Sequence, residues 1–200
     1  AIPTEKTVLL PPHTGRLEKD AYERKFPLAL QAARDLGLNR LDPGSARLGF
    51  VAAGLPYAYL CEVLREAGLE GVFPILRLGM TFPLEPQAVQ AFEALVDEII
   101  CVENKRAFIE SQIRDLLVRD RQHNPAAPLP AVWGKEFPEG LEGVPAEHGI
   151  NPSVLLKRLA PLFKARGYAS PRMDEAVLRM EDASAVVSGL PKRTATFCSG

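Results

Sequence analysis

The segments ARLGFVAAG (46–54), VFPILRLG (72–79) and EIICVE (98–103) decide the fold of this chain. Each is a compact apolar run, which suits a strand covered on both faces; a strand with one wet face alternates instead. A stretch of helical period follows each run. LPYAYLCEVLREAG (55–68) sets Leu60, Val63, Leu64 and Ala67 on one face and is closed by Gly68. EPQAVQAFEALVDE (85–98) groups Val89, Phe92 and Leu95, with Pro86 suited to open the helix. AFIESQIRDLLVRD (107–120) forms a broad stripe of Phe108, Ile109, Ile113, Leu116 and Leu117. Three strand–helix units in succession predict an α/β domain, a mostly parallel sheet with helices on both faces. Right-handed crossovers then gather the loops that leave the strands at the carboxyl edge of that sheet.

Outside this centre, proline sets the organisation. Residues 1–45 contain Pro3, Pro11, Pro12, Pro27 and Pro43, which argue against long uninterrupted elements. Within them a short helix is predicted from Pro27 to Leu36, ended by Gly37, and DPGS (42–45) reads as a turn. From 121 to 152 proline and glycine recur, and LPAVWGK (129–135) is a candidate late strand at a sheet edge. NPSVLLKRLAPLFKARG (151–167) returns to helix, with Asn151 as its N-cap and Pro161 marking a bend or break. Residues 168–200 read as short mixed segments. The expected organisation is an irregular N-terminal extension (1–45), the α/β domain (46–167) and a C-terminal linker (168–200).

The chain carries 24 Lys and Arg against 25 Asp and Glu, a net charge of -1, which gives no general reason to expect nucleic acid as a partner. Cys61, Cys101 and Cys198 are too few and too scattered for a disulfide framework, so a reducing, cytoplasmic setting is expected. No apolar run approaches the roughly 20 residues that cross a bilayer, and no signal peptide opens the chain, so no membrane partner is expected. The start without methionine fits excision from a longer polypeptide.

No dinucleotide fingerprint, P-loop, zincin or nucleophile-elbow pattern occurs, and neither catalytic nor cofactor-binding residues are assigned. His13, His123 and His148 lie in loop-like chain and read as surface residues; Cys61 and Cys101 read as small buried hydrophobes. The densest candidate is CVENKRAFIESQIRDLL (101–117). Glu103, Asn104, Lys105 and Arg106 leave the third strand at the edge where open α/β folds bind their ligands. The N–H groups at the start of the next helix favour an anion or a partner's carboxylate. Glu110 and Arg114 are four apart, in the order that favours mutual support. A solvated turn, a subunit or interdomain contact, and a small-anion site all fit this segment. LRLGMTFPLEP (76–86) leaves the second strand at the same edge. Met80 and Phe82 are costly to expose together, so they pack either against the domain's own helices or under a neighbouring module.

Read together, ARLGFVAAGLPYAYLCEVLREAGL (46–69), LRLGMTFPLEPQAV (76–89) and IICVENKRAFIESQIRDLL (99–117) resemble the indolepyruvate ferredoxin oxidoreductases, within the wider 2-oxoacid:ferredoxin oxidoreductase family. The resemblance is to the internal transketolase C-terminal-like domain of the long fused bacterial form. AVWGKEFPEG (131–140) is similar to that family's loop ahead of the next helix, and PPHTGRLE (11–18) to a segment near the start of the domain. Where the family has two adjacent acids in VVEEK, this chain has CVENK, with Asn104 in place of the second. The terminal RTATFCSG (193–200) resembles the start of a Cys-Ser-Gly-Cys-Pro-His segment, which makes Cys198 the first thiolate of an incomplete iron–sulfur motif and residues 168–200 a linker into a thiamine-diphosphate-binding domain.

The resemblance implies a parent enzyme that oxidatively decarboxylates a 2-oxo acid, an aryl pyruvate in the nearest members. Its cofactors are thiamine diphosphate, magnesium and 4Fe-4S clusters, with coenzyme A as co-substrate and ferredoxin as electron acceptor. The chain itself is then expected to be a non-catalytic structural and assembly domain, inactive alone. Met80, Phe82, Glu103, Asn104, Lys105, Arg106 and Glu110 would meet neighbouring domains or subunits, and a homodimer is open. Two other readings stand beside it: a regulatory module for a small anion, and an autonomous enzyme with a cleft near 103–110.

Overall fold

The apolar runs at the centre of the chain become neighbouring strands because none of them has a face that tolerates water. The computed structural model describes Thr7 and residues 10–189. The elements are α1 (His13–Asp20), a π-helical turn (Ala21–Lys25), α2 (Phe26–Asp35), β1 (Arg40–Asp42), β2 (Leu48–Ala53), α3 (Gly54–Glu66), β3 (Ile75–Leu78), α4 (Pro86–Glu93), β4 (Glu98–Val102), α5 (Ile109–His123), β5 (Ala131–Trp133), a short 3-10 turn (Pro138–Gly140), α6 (Pro152–Ala165) and α7 (Pro171–Ser188).

The five strands form one sheet in the order β1-β3-β2-β4-β5. β2 lies parallel to β3 and β4, with Phe50 opposite Ile75 and Ile100, and β5 continues the parallel run beyond β4. β1 closes the other edge antiparallel to β3. Consecutive residues point to opposite faces, so each central strand feeds two cores. On one face Phe50, Ile100 and Val102 pack with Leu60 and Leu64 of α3 and with Leu155, Leu159 and Phe163 of α6. On the other, Val51, Ile99 and Cys101 pack with Val89 and Phe92 of α4 and with Ile113 and Leu117 of α5. The expected α/β layering is present, with the three apolar runs in a single sheet.

The termini differ from the sequence reading. Helical chain runs from His13 to Asp35 without a break, although Pro27 lies inside it. The π turn ahead of the proline explains this: the N–H of Phe26 reaches back five residues to the carbonyl of Ala21, so the next position meets a widened helix in which a missing N–H costs less. Pro161 likewise leaves α6 continuous, and it sits on the exposed side of the helix. Residues 171–188 form one helix rather than short segments. Ser170 caps it, its hydroxyl oxygen accepting from the Met173 N–H at 3.0 Å, and Met173 and Ala176 are buried. Part of the segment read as a 42–45 turn begins earlier as β1, a strand too short to show a period. Cys61 is half-buried on α3, whereas Cys101 is fully buried in β4.

Candidate functional site

The exits of β3 and β4 lie together at the carboxyl edge, and the polar residues there are bound mostly to one another. Glu103 follows β4 directly and folds back over the start of α5. Its Oε2 accepts from the N–H groups of Phe108 at 3.0 Å and Ile109 at 2.8 Å, and its Oε1 from that of Glu110 at 3.1 Å. The helix start that seemed open to an external anion is therefore filled by the chain's own carboxylate. α4 repeats the device: Glu85 accepts from Gln87 at 3.2 Å and Ala88 at 2.8 Å, and Arg34 of α2 reaches it at 3.0 Å. Glu85 was not singled out from the sequence, since glutamate is not a preferred N-cap and Pro86 marked the helix start by itself.

Glu110 is the next link inward. Its Oε2 accepts from the Lys135 N–H at 3.0 Å, and its Oε1 pairs with Arg114 at 2.7 Å, the spacing that the sequence suggested. Gly134 makes room for it; a Cβ there would lie 2.3 Å from the carboxylate. Lys135 reaches the exit of β4, its ammonium donating to the Glu103 carbonyl at 2.7 Å. Burial holds the Lys135 ammonium below the usual lysine range, opposed by the nearby Glu103 and Glu110 carboxylates. Burial and those same carboxylates push the Cys101 thiol well up, so it is not poised as a nucleophile.

The seven residues expected at an interface thus separate. Glu103 and Glu110 are only 6% and 2% exposed, so they lie beneath the surface of this chain. Their carboxylates are taken up within the chain. Asn104 is at the surface but pins another loop, its Oδ1 accepting from the Ile150 N–H at 2.9 Å. Lys105 and Arg106 are exposed, and Lys105 holds a left-handed backbone with φ 61. Met80 is half-buried, and its N–H, like that of Gly79, donates to Asn39 Oδ1.

Phe82 is 53% exposed and Phe108 50%. Their rings are 6.1 Å apart, and Phe82 also meets Phe26 of α2 edge-on at 5.4 Å. Tyr22 extends the row, 5.2 Å from Phe26. Gln112 braces the two loops beneath these rings: its side chain donates to the carbonyls of Thr81 at 3.0 Å and Phe108 at 3.1 Å and accepts from the Leu84 N–H at 3.3 Å. The result is a fixed apolar ridge, half in water, with Lys105 and Arg106 on the same loop as Phe108.

Neither the 79–85 nor the 103–107 loop lines the groove of about 500 Å³ between α6, α7 and the 140–142 turn. Among the described residues, no group of three or more His, Cys, Asp or Glu is arranged to hold a metal ion. Cys61 sits on the α3 side of the sheet and Cys101 on the α4–α5 side, so these two do not fit one cluster, which takes four thiolates. Cys198 lies outside the described residues. No helix among them is long and apolar enough to cross a membrane.

A family described as "Indolepyruvate oxidoreductase domain" matches residues 40–186. The chain is 26% identical over 149 residues to the indolepyruvate oxidoreductase subunit IorA of Archaeoglobus fulgidus, a match covering 74% of this chain and 23% of that protein. It is 35% identical over 117 residues to the subunit of the same name from Thermococcus kodakarensis, covering 50% of this chain and 18% of the relative. The chain therefore spans less than a quarter of the length of these relatives. Among solved structures, a split-gene transketolase described as an inactive beta4 tetramer aligns over 74% of this chain and 42% of its own, with TM-score 0.39 and 15% identity. A 2-oxoglutarate:ferredoxin oxidoreductase from Magnetococcus marinus aligns over 63% and 21%, with TM-score 0.37 and 15% identity.

Proposed function

Because the chain belongs to the indolepyruvate oxidoreductase domain family, we propose that it is a non-catalytic structural and assembly domain of a 2-oxoacid:ferredoxin oxidoreductase, the internal transketolase C-terminal-like domain of a long fused enzyme. The observation that carries this reading is the division of labour at the carboxyl edge. Its carboxylates are spent on helix starts and backbone N–H groups inside the chain, while Phe82 and Phe108 are held half in water by a braced pair of loops. Solvent-facing aromatics on a rigid base are characteristic of a surface that another protein covers. Buried acids already hydrogen-bonded to backbone are poor candidates for proton transfer.

In this reading the parent enzyme works in the cytoplasm on an aryl 2-oxo acid. Thiamine diphosphate with magnesium, 4Fe-4S clusters, coenzyme A and ferredoxin serve the reaction from its other modules. The ridge of Phe82 and Phe108, with Met80 beneath and Asn104, Lys105 and Arg106 beside it, packs against those neighbouring modules. Glu103 and Glu110 shape the ridge from below.

The test places Phe82→Asp with Phe108→Asp in the full-length oxidoreductase. Two truncated aromatic anchors at one interface are expected to lower the yield of assembled, active enzyme at least about tenfold. The same pair in the 200-residue chain should leave its thermal midpoint within a few degrees, because both rings are already half-solvated. Assembled enzyme in normal yield, with normal turnover, would reject the proposal.

A further inference from the structure

We propose that the outer edge of β1 is a contact between two copies of this chain, joining their sheets across a two-fold axis at Leu41. The carboxyl-edge ridge plays no part in this contact, so it stands independently of the function proposed above.

β1 ends the sheet, and among the described residues no strand lies beyond it. Its sequence, Arg40-Leu41-Asp42, is complementary to itself when read in the opposite direction. An antiparallel pair about Leu41 sets Arg40 of each copy opposite Asp42 of the other and Leu41 against its own counterpart. Proteins blunt open edges with short strands and charges. Here the two charges differ in sign, so they repel nothing in an antiparallel self-pair.

Within the chain the same charges are poorly balanced. Arg40 stands directly opposite Arg77 of β3, and like charges in register are destabilising. Arg77 is held over the Tyr57 ring at 5.1 Å, and Arg40 makes only a long contact, 3.5 Å, to the Gly37 carbonyl. Neither has a carboxylate partner among the described residues. Asp42 uses Oδ2 to accept from the Tyr57 hydroxyl at 2.8 Å, which leaves Oδ1 for an arginine arriving from outside. A second copy supplies the carboxylate that the Arg40–Arg77 pair lacks.

The apolar part of the contact is also exposed. Leu41 is 43% exposed and Leu36 70%, with Leu38 between them in sequence. Pro43 stops the strand after Asp42, which limits the pairing to three residues on each side and favours a closed dimer over an open fibre. A pairing of three residues on each side fits weak association, with a dissociation constant roughly in the range of tens to hundreds of micromolar.

Sedimentation velocity of the 200-residue chain from about 1 to 500 μM tests this directly. Dimer is expected to appear across that range. Arg40→Asp places Asp opposite Asp42 and should weaken association at least about tenfold; adding Asp42→Arg reverses both charges and should recover most of it, with circular dichroism confirming that each variant is folded. Leu41→Cys supplies a second readout, because opposed β carbons in an antiparallel pair lie about 4.5–5.5 Å apart, near disulfide range. With Cys61→Ser and Cys198→Ser also in place, mild oxidation should give a covalent dimer that the same background without Leu41→Cys does not give. A monomer at every concentration overturns the proposal, as does a dimer that is indifferent to Arg40→Asp and does not crosslink through Leu41→Cys.

Discussion

The helical regions at the two ends of the described chain, the pair α6 and α7 and the run over residues 13–35, are used differently. α6 buries Leu155, Leu156, Leu159, Ala160, Leu162 and Phe163, and α7 adds Met173 and Ala176 to the same core. Over α1, the π turn and α2, the one fully buried residue is Ala33. The first pair belongs to the domain because the sheet needs a cover over Phe50 and Ile100. The second is attached at particular points, Phe26 to Phe82 and Arg34 to Glu85, and leaves Tyr22, Leu28 and Leu36 to the solvent. Amphipathic period alone does not distinguish a helix that completes a core from one that offers a face.

That contrast is open to measurement. The largest effect is expected from Phe163→Ala in α6, whose ring stacks on Phe73 at 5.1 Å and meets Phe50 at 6.1 Å. Removing it should cost about 3–5 kcal/mol in denaturant unfolding, against about 1 kcal/mol or less for Phe26→Ala in α2. Equal losses would dissolve the distinction between the pairs.

Glu103→Ala comes next. It strips three backbone N–H groups at the start of α5 of their charged acceptor, and a loss of about 2–3 kcal/mol is expected. α1 begins at Pro12 with no side-chain cap to lose, so substitutions there should leave unfolding unchanged within about 0.5 kcal/mol.

Glu93 gives a pH-dependent version of the same comparison. Burial, then the neighbouring Asp120, raises its pKa from 4.5 to about 7. The folded state therefore holds a proton that the unfolded chain releases, and stability falls as pH rises from about 4.5 to about 7 and stays lower above it. Glu93→Gln should be neutral at pH 5 and stabilising by about 1–2 kcal/mol at pH 8 when both proteins are unfolded in parallel. A difference that does not change with pH would remove Glu93 as its source. A gain is expected from Lys105→Gly: relief of a left-handed backbone at φ 61 should stabilise the chain by about 1 kcal/mol.

The centre of the fold was legible because its strands are largely apolar on both sides and its helices carry an apolar stripe, although Leu95 falls beyond α4 and Phe108 ahead of α5, both exposed. Phe50, Ile99 and Ile113 need no partner outside the domain to explain them. The edges were not legible for definite reasons. β1 is three residues long, too short to show a period, and it owes its place to pairing with β3. α7 does carry a sequence signal, Ser170 before Pro171 with Met173, Ala176 and Val177 at helical spacing. At the candidate site the sequence places Glu103 in the right loop but reads Phe108 as part of the α5 stripe, whereas it precedes the helix and is half in water. It did not reveal that the carboxylate turns inward, because a helix start looks the same in sequence whether its own chain or a visitor fills it. Lys135 and Gly134 come from another strand exit, 25 residues or so downstream of Glu110, and only the parallel pairing of β4 with β5 brings them there.

Gln112 has a kinetic consequence. By tying Thr81, Leu84 and Phe108 into one frame, it fixes the shape of the ridge before any encounter, so little chain freedom remains to be lost on contact. Such a surface should associate in a single step without a slow rearrangement, and loosening the frame should slow capture even where every ring is retained.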